Sequence, residues 1–251
     1  MTFKDYFSQQ AASYSAYRPR YPQALFDYLT SLCPGRDRAW DCATGNGQGA
    51  MSLVPHFKTI IATDASGAQI ENAALHPQID YRVEPAETTT IETRSIDLVT
   101  IAQALHWFAR DRFYTEVKRV LKPSGIIAVW CYKLPVISEE IDPIIEEYYE
   151  RIVGEYWPPE RQLIEEKYQT IDFPFEEITP PQFQMEVMWT RDRALGYLGT
   201  WSATQRFISD RNTNPLQQIY SRFTEAWGDP ESVKVARSRI HLRIGKMPSS
   251  L

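Results

Sequence analysis

The sequence is short of cysteine, of excess positive charge and of long apolar runs, and each shortage narrows what the chain can be. Only three cysteines occur in 251 residues, Cys33, Cys42 and Cys131. They are widely separated, odd in number and nowhere at metal-ligand spacing, so no metal site is expected and a reduced, intracellular setting is. Lys and Arg number 27 against 32 Asp and Glu, a formal charge of −5. Beyond a local patch, that balance leaves no electrostatic footprint for nucleic acid. No apolar stretch approaches the ~20 residues of a membrane helix. Met1–Tyr6 opens no apolar run of signal-peptide length. A cytoplasmic protein without membrane contact is the expectation. Internal repeats and low-complexity tracts are also missing.

What is present is an ordinary globular balance, 43% apolar and 24% charged. The chain is long enough to bury most of its apolar surface without staples. Seven Trp and fourteen Tyr suit lined pockets as well as cores. From Ala39 to Trp130 short apolar runs alternate with helical stretches. Candidate strands are Ala39–Ala43, Thr59–Thr63, Ile96–Ile101 and Gly125–Cys131, with helices at Gly49–Val54, Gly67–Ala74 and Ala109–Leu121. That alternation predicts a doubly wound α/β fold, a mostly parallel sheet with helices on both faces and ligands bound where the strand order reverses. Past Pro135 the texture changes. Ser138–Val153 reads as an acidic helix, Phe183–Trp189 as a strand, Arg191–Phe207 and Pro215–Trp227 as helices, and Val233–Ile244 alternates again. The chain therefore divides into a core over 1–135, a mostly helical cap over 136–230 that lends the core one strand, and a final strand and tail over 231–251. Arg237, Arg239, His241 and Arg243 share one face of that last strand, which reads as a solvated sheet face rather than a nucleic-acid strip.

The segment Asp41-Cys42-Ala43-Thr44-Gly45-Asn46-Gly47-Gln48-Gly49-Ala50 carries the chemistry. A glycine-rich turn between strand and helix lets backbone approach a ligand closely. Gly45, Gly47 and Ala50 also fit the dinucleotide fingerprint, which keeps an NAD-dependent oxidoreductase in view. Asp64, ending the second strand, can accept both ribose hydroxyls of either cofactor. Asp41 is more telling, because a carboxylate suits the ammonium of a methionine moiety and not a pyrophosphate.

Asp41–Gly47 resembles the first motif of class I methyltransferases, D-x-G-x-G-x-G, with Ala43 in place of the first glycine. That replacement is harmless while the backbone there keeps a negative φ. Ser95–Phe108 resembles the family's fourth strand and following loop, and Leu121-Lys122-Pro123-Ser124-Gly125 its turn into the fifth. Phe7, Tyr14, Tyr17, Arg18 and Tyr21, with Gly196–Ala203, are similar to the trans-aconitate methyltransferase-like subgroup. The resemblance implies a Rossmann-like sheet of about seven strands, the last antiparallel, under a helical cap. It also implies S-adenosyl-L-methionine (SAM) as cofactor, with Asp41, Ala43, Gly45, Gly47 and Asp64 around it. Ala86 and Glu87 would frame adenine, and Gln103 and Ala104 the methionine portion. Arg18 would pair with the SAM carboxylate while Tyr14, Tyr17 and Tyr21 close as a lid, the alternative being a packed aromatic helix with a solvated arginine.

A small-molecule acceptor is expected, held by Tyr17, Trp107, Tyr197 and Trp201, with Trp189, Arg191, Arg193 and Arg206 supplying further cap surface. Bidentate arginines suit a small acid and thus an oxygen acceptor. A carboxylate acceptor needs no base; a hydroxyl or carbon acid does, and His106 is the candidate. A macromolecular acceptor, RNA or protein, is the alternative. Nothing in the sequence specifies an oligomeric state.

Overall fold

The computed structural model describes residues 20–248. Eight strands form one sheet: β1 (Arg38–Cys42), β2 (Thr59–Asp64), β3 (Ile79–Val83), β4 (Ile96–Ala102), β5 (Leu121–Tyr132), β6 (Glu176–Ile178), β7 (Phe183–Trp189) and β8 (Lys234–Lys246). Their order is β3-β2-β1-β4-β5-β8-β6, and β7 also pairs with β8. The strands from β3 to β5 run parallel, and β8 is antiparallel to each of its neighbours. The order reverses between β1 and β4, so a crevice opens beyond the carboxyl ends of those two strands.

The central strands are buried along most of their length because helices cover both faces. Alternate residues feed two cores. Trp40, Val99, Ile101, Ile127 and Val129 pack on one side with α4 (Arg110–Val120), which contributes Phe113 and Val117. Ala39, Ile60, Leu98, Ala128 and Trp130 pack on the other. There α1 (Gln23–Ser31) buries Leu25, Phe26 and Leu29, positions that share one helical face. Between these helices lie α2 (Gln48–Leu53) and α3 (Gly67–Glu71). A third core belongs to the cap and gathers Tyr148, Trp189, Tyr197, Trp201, Phe223 and Trp227. No helix among the described residues is long and apolar enough to cross a membrane.

Several expectations shift on contact with the structure. The sheet is the expected mostly parallel one of about seven strands with its last strand antiparallel, and the three-residue β6 joins it beside β8 as an eighth. The helix expected over Ser138–Val153 starts only at Asp142, whose carboxylate accepts from the amides of Ile137 and Ser138 and so fixes where it begins. This α5 (Asp142–Glu147) widens into a π turn over Tyr148–Ile152. After α6 (Gln162–Glu165), the expected single helix from Arg191 splits into α7 (Arg191–Gly199) and α8 (Ser202–Arg211). Extended backbone at Trp201 makes the break; α9 (Tyr220–Trp227) follows.

The strip on β8 is not a plain solvated face either. Arg243 is largely covered. It donates to the carbonyls of Tyr168 (2.8 Å) and Ile171 (2.6 Å), pairs with Glu177 and lies 4.6 Å over the Phe173 ring. Arg237 pairs with Glu186 at 2.9 Å. The reason is topological: β8 sits inside the sheet, so its charged side chains meet β6, β7 and their loops.

Candidate active site

β1 delivers the chain to the crevice, and the loop after it turns through left-handed backbone at Ala43 (φ 53°), Gly45 (φ 57°) and Gly47 (φ 84°) before α2 begins. The condition under which Ala43 would be a harmless replacement, a negative φ, is therefore not met. An alanine there carries strain of roughly 1–2 kcal/mol. It is held in place by the bond from the Thr44 amide to the Thr63 carbonyl at 2.9 Å.

Asp41 lies buried beneath this loop. Its Oδ1 accepts from the Thr100 hydroxyl (2.7 Å) and its Oδ2 from the Thr44 hydroxyl (2.6 Å). Burial pushes its pKa up, while those two hydroxyls and the Ala50 amide oppose the rise. Gly49 allows the approach, since a Cβ there would meet the Asp41 oxygens at 2.8 and 2.9 Å. Asp41 therefore braces the loop from below. Asp64, at the end of β2, reaches across to it, accepting from the Gly45 amide (2.9 Å) and from the Ser66 amide (2.9 Å).

Ala86 is buried in the same core as Trp40 and Val99. Glu87 Oε1 accepts from the Ala109 amide at 2.8 Å, just ahead of the first residue of α4. Arg18, Tyr14 and Tyr17 lie outside the described residues. Tyr21 is no lid: it packs edge-on against Trp130 at 5.3 Å and lies close to Tyr132, part of the core beside α1.

Past β4 the backbone is strained again, with Gln103 at φ 56°. Its amide donates to the Trp130 carbonyl and its side-chain nitrogen to the Tyr132 carbonyl, both across to β5. Its Oε1 is buried with no hydrogen-bond partner among the described residues. Non-glycine residues in such backbone cluster at functional sites. Ala104, which follows, is buried. A short 3-10 turn over Leu105–Trp107 then aims His106 and Trp107 into a cleft.

The cleft lies between sheet and cap. Gln103, His106 and Trp107 form one wall; Trp157, Arg161, Tyr197, Trp201 and Ser202 face them, and Lys133 sits at the end of β5. Of the cap residues expected from sequence, Tyr197 and Trp201 line it. Trp189 is buried in the cap core, Arg191 pairs with Asp192 and Arg206 donates to the Tyr156 carbonyl. Beside Lys133, Arg161 reaches the cleft instead. Its guanidinium lies 4.0 Å over Trp157 and 5.1 Å over Tyr149, and its Nε donates to the Tyr149 hydroxyl at 2.6 Å. Lys133 pairs with Glu165 at 2.6 Å.

His106 is buried, leans on Trp107 with ring centroids 4.6 Å apart, and bonds through Nδ1 to the Tyr168 hydroxyl at 2.8 Å. Burial, reinforced by the Arg161 charge, pushes its pKa down to about 3. The expectation of a base tuned near working pH fails here, since a proton on this ring would be both desolvated and repelled. The unfolded chain binds that proton first, at the ordinary value of 6.5. The stability this neutral imidazole contributes is therefore complete above about pH 6.5 and lost on acidification, at up to ~1.4 kcal/mol per pH unit. Urea unfolding from about pH 7 to 4.5 should show wild type losing stability more steeply than His106→Gln. Parallel curves would contradict the burial argument.

Known proteins resemble this chain along its length. The methyltransferase domain family matches residues 40–129. A Dictyostelium discoideum protein named as a methyltransferase is 34% identical over 241 residues, 93% of this chain and 92% of that protein. A solved structure described as a type II methyltransferase of Anaeromyxobacter dehalogenans superposes with a TM-score of 0.86 at 39% identity, over 92% of this chain and 99% of that one. A Haemonchus contortus phosphoethanolamine N-methyltransferase shares the fold alone, at 16% identity and a TM-score of 0.52, with 99% of this chain and 60% of that one covered. The chain belongs to the class I SAM-dependent methyltransferases.

Sequence reasoning passes over Thr100, Lys133, Arg161 and Tyr168. Arg161 follows the Trp157-Pro158-Pro159 joint, and an arginine close to a tryptophan in a loop is the signal available there. Tyr168 carries no local signal.

Proposed function

We propose that the enzyme transfers the methyl group of SAM to a carboxylate oxygen of a small acid bound in the cleft. The observation that carries this reading is the pairing of an aromatic-walled cleft bearing Arg161 and Lys133 with a buried histidine whose Nδ1 is engaged by Tyr168. A hydroxyl or carbon acid would need deprotonation, whereas a carboxylate is already a nucleophile at neutral pH. Arg161, stacked over Trp157 and Tyr149, can offer such a group a charge-assisted contact.

The residues at the crevice fit SAM. The strained glycine loop admits close backbone approach, Asp64 suits ribose hydroxyls, and the orphaned Gln103 Oε1 suits a donor such as the methionine ammonium. We assign the framing of adenine to Ala86 and Glu87, in the loop between β3 and β4. When bound, SAM supplies a methyl group on a sulfonium that departs as a thioether. The chain's own part is to hold the acid in line with it. Such positioning lowers the barrier by ~7–11 kcal/mol in favourable cases. Trp107, Tyr197 and Trp201 exclude water from the cleft, and Arg161 anchors the acid. The similarity of Gly196–Ala203 to trans-aconitate methyltransferase-like enzymes supports an acid as well.

The test is transfer of radiolabelled methyl from SAM to a panel of small carboxylic acids, phenols and amines, followed by mild alkali. Volatile labelled methanol released from an acid supports ester formation. Alkali-stable label on a phenol or amine, or label only in RNA or protein from an extract, overturns the reading. Arg161→Met should raise KM for the acid roughly 10–100-fold, the equivalent of one charge-assisted contact, with a much smaller change in kcat. An unchanged KM would remove Arg161 from the site.

A further inference from the structure

His106 belongs to the cleft wall with Tyr168 buried behind it, and ester formation needs neither a base nor an acid there. Tyr168 is nonetheless held with unusual care. It is fully buried, and a buried hydroxyl is unfavourable compared with phenylalanine unless it bonds well. Tyr168 and Lys167 both adopt left-handed backbone, at φ 57° and 58°. Strain of that kind persists only where surroundings over-determine it. Here the Tyr168 amide donates to the Leu163 carbonyl at 2.9 Å, and Arg243 clamps the Tyr168 and Ile171 carbonyls from β8.

The direction of the bond between the two rings follows from what else faces the phenol. Among the described residues the Tyr168 hydroxyl has no hydrogen-bond acceptor other than His106 Nδ1. A buried phenol proton needs an acceptor, and His106 Nδ1, 2.8 Å away, is the one within reach. A neutral imidazole that accepts at Nδ1 carries its proton on Nε2.

We propose that Tyr168 is a positioning residue that fixes His106 as the Nε2–H tautomer, so that the cleft beside Gln103 receives a hydrogen-bond donor and selects acids whose carboxylate or carbonyl oxygen lies against it. The selection half rests on the cleft being the acceptor site; the tautomer half does not. Together with Arg161 across the cleft, a neutral donor makes the site favour oxygen-rich anions and disfavour amines, which would bring a second N–H against the ring.

The experiment uses the full chain labelled with 15N-histidine, and long-range proton–nitrogen correlations read each ring's tautomer. His106→Gln identifies the His106 signals. Wild type should show the Nε2–H pattern. Tyr168→Phe keeps the ring and should convert the pattern to a mixture or to Nδ1–H. With the acid substrate, Tyr168→Phe should raise KM about 5–30-fold, the loss of one oriented hydrogen bond, and leave kcat much less altered. His106→Gln places an amide N–H near the Nε2 position, so it should retain most of the wild-type KM and become insensitive to Tyr168→Phe. An Nδ1–H pattern in wild type, or no change of pattern in Tyr168→Phe, overturns the proposal. A changed pattern with KM unmoved overturns the selection half. If no acid is methylated, the tautomer readout still decides on Tyr168 while the proposed acceptor falls separately.

Discussion

Gly47→Ala is expected to destabilise the protein by about 2–4 kcal/mol, a large share of a typical 5–15 kcal/mol total, and to abolish measurable SAM binding. Two effects add. The backbone of residue 47 sits at φ 84°. An alanine in such left-handed backbone incurs strain of roughly 1–2 kcal/mol. Its Cβ would also stand 2.2 Å from the Tyr81 hydroxyl oxygen and 3.0 Å from the ring carbon bearing it. That hydroxyl is bonded to the Ala74 carbonyl at 2.9 Å. Moving the ring therefore forfeits about another 0.5–1.5 kcal/mol. The loop is closed through this residue, the Gly47 amide donating to the Thr44 carbonyl and the Gly47 carbonyl accepting from Met51. Gly45 supplies the internal control. Its φ is also positive, yet the nearest side-chain atom to an added Cβ, Gln69 Oε1, is 3.8 Å away. Gly45→Ala should therefore show the strain alone, ~1 kcal/mol. Urea unfolding of both variants, with Gly47→Ala/Tyr81→Phe alongside, separates the effects. The double variant should relieve most of the clash and keep the strain. Equal losses at Gly45 and Gly47 would refute the steric account.

How much of this was legible beforehand depends on where each residue's surroundings come from. β1, β2, β4 and β5 announce themselves because strands buried on both faces read as apolar runs. β3, Ile79-Asp80-Tyr81-Arg82-Val83, hides because it is an edge strand whose exposed face carries charge. The crevice half of the site follows from local chemistry: a loop crowded with glycines between strand and helix has few other uses. Even there, periodicity is silent on φ, so the strain at Ala43 and Gln103 could be found only in three dimensions. The cap half was largely illegible. The cleft joins residues from β5, the Trp157–Arg161 loop and the break between α7 and α8, which no sequence spacing relates. Arg191 and Arg206 looked useful in the sequence while Arg161 did not stand out, and only packing decides that the first two serve ion-pair and carbonyl contacts. His106 shows the same limit: its type suggested a base, whereas burial and the Arg161 charge decide its protonation.

Asp64→Ala should weaken SAM binding about 10–100-fold, or ~1.4–3 kcal/mol, with S-adenosylhomocysteine weakened equally because the nucleoside is shared. Two losses contribute, and they are separable. One is internal: Asp64 accepts from the Gly45 and Ser66 amides, so its removal frees the glycine loop from the end of β2 before any ligand arrives. The other is the pair of ribose contacts proposed for the same carboxylate. Asn tells them apart only in part, since a side-chain NH2 turned toward the Gly45 amide sets donor against donor. A ligand change is cleaner. S-Adenosylhomocysteine lacking its ribose hydroxyls should bind wild type weakly, yet lose little further affinity on going to Asp64→Ala. The coupling in that cycle, read by calorimetry, is the ribose contribution alone, and what remains belongs to the loop. Zero coupling would take Asp64 off the ribose and leave it a loop anchor; an unchanged dissociation constant for SAM would remove both roles. NAD should bind neither protein, because the carboxylates beneath and beside this loop suit a cationic amino acid moiety and repel a pyrophosphate.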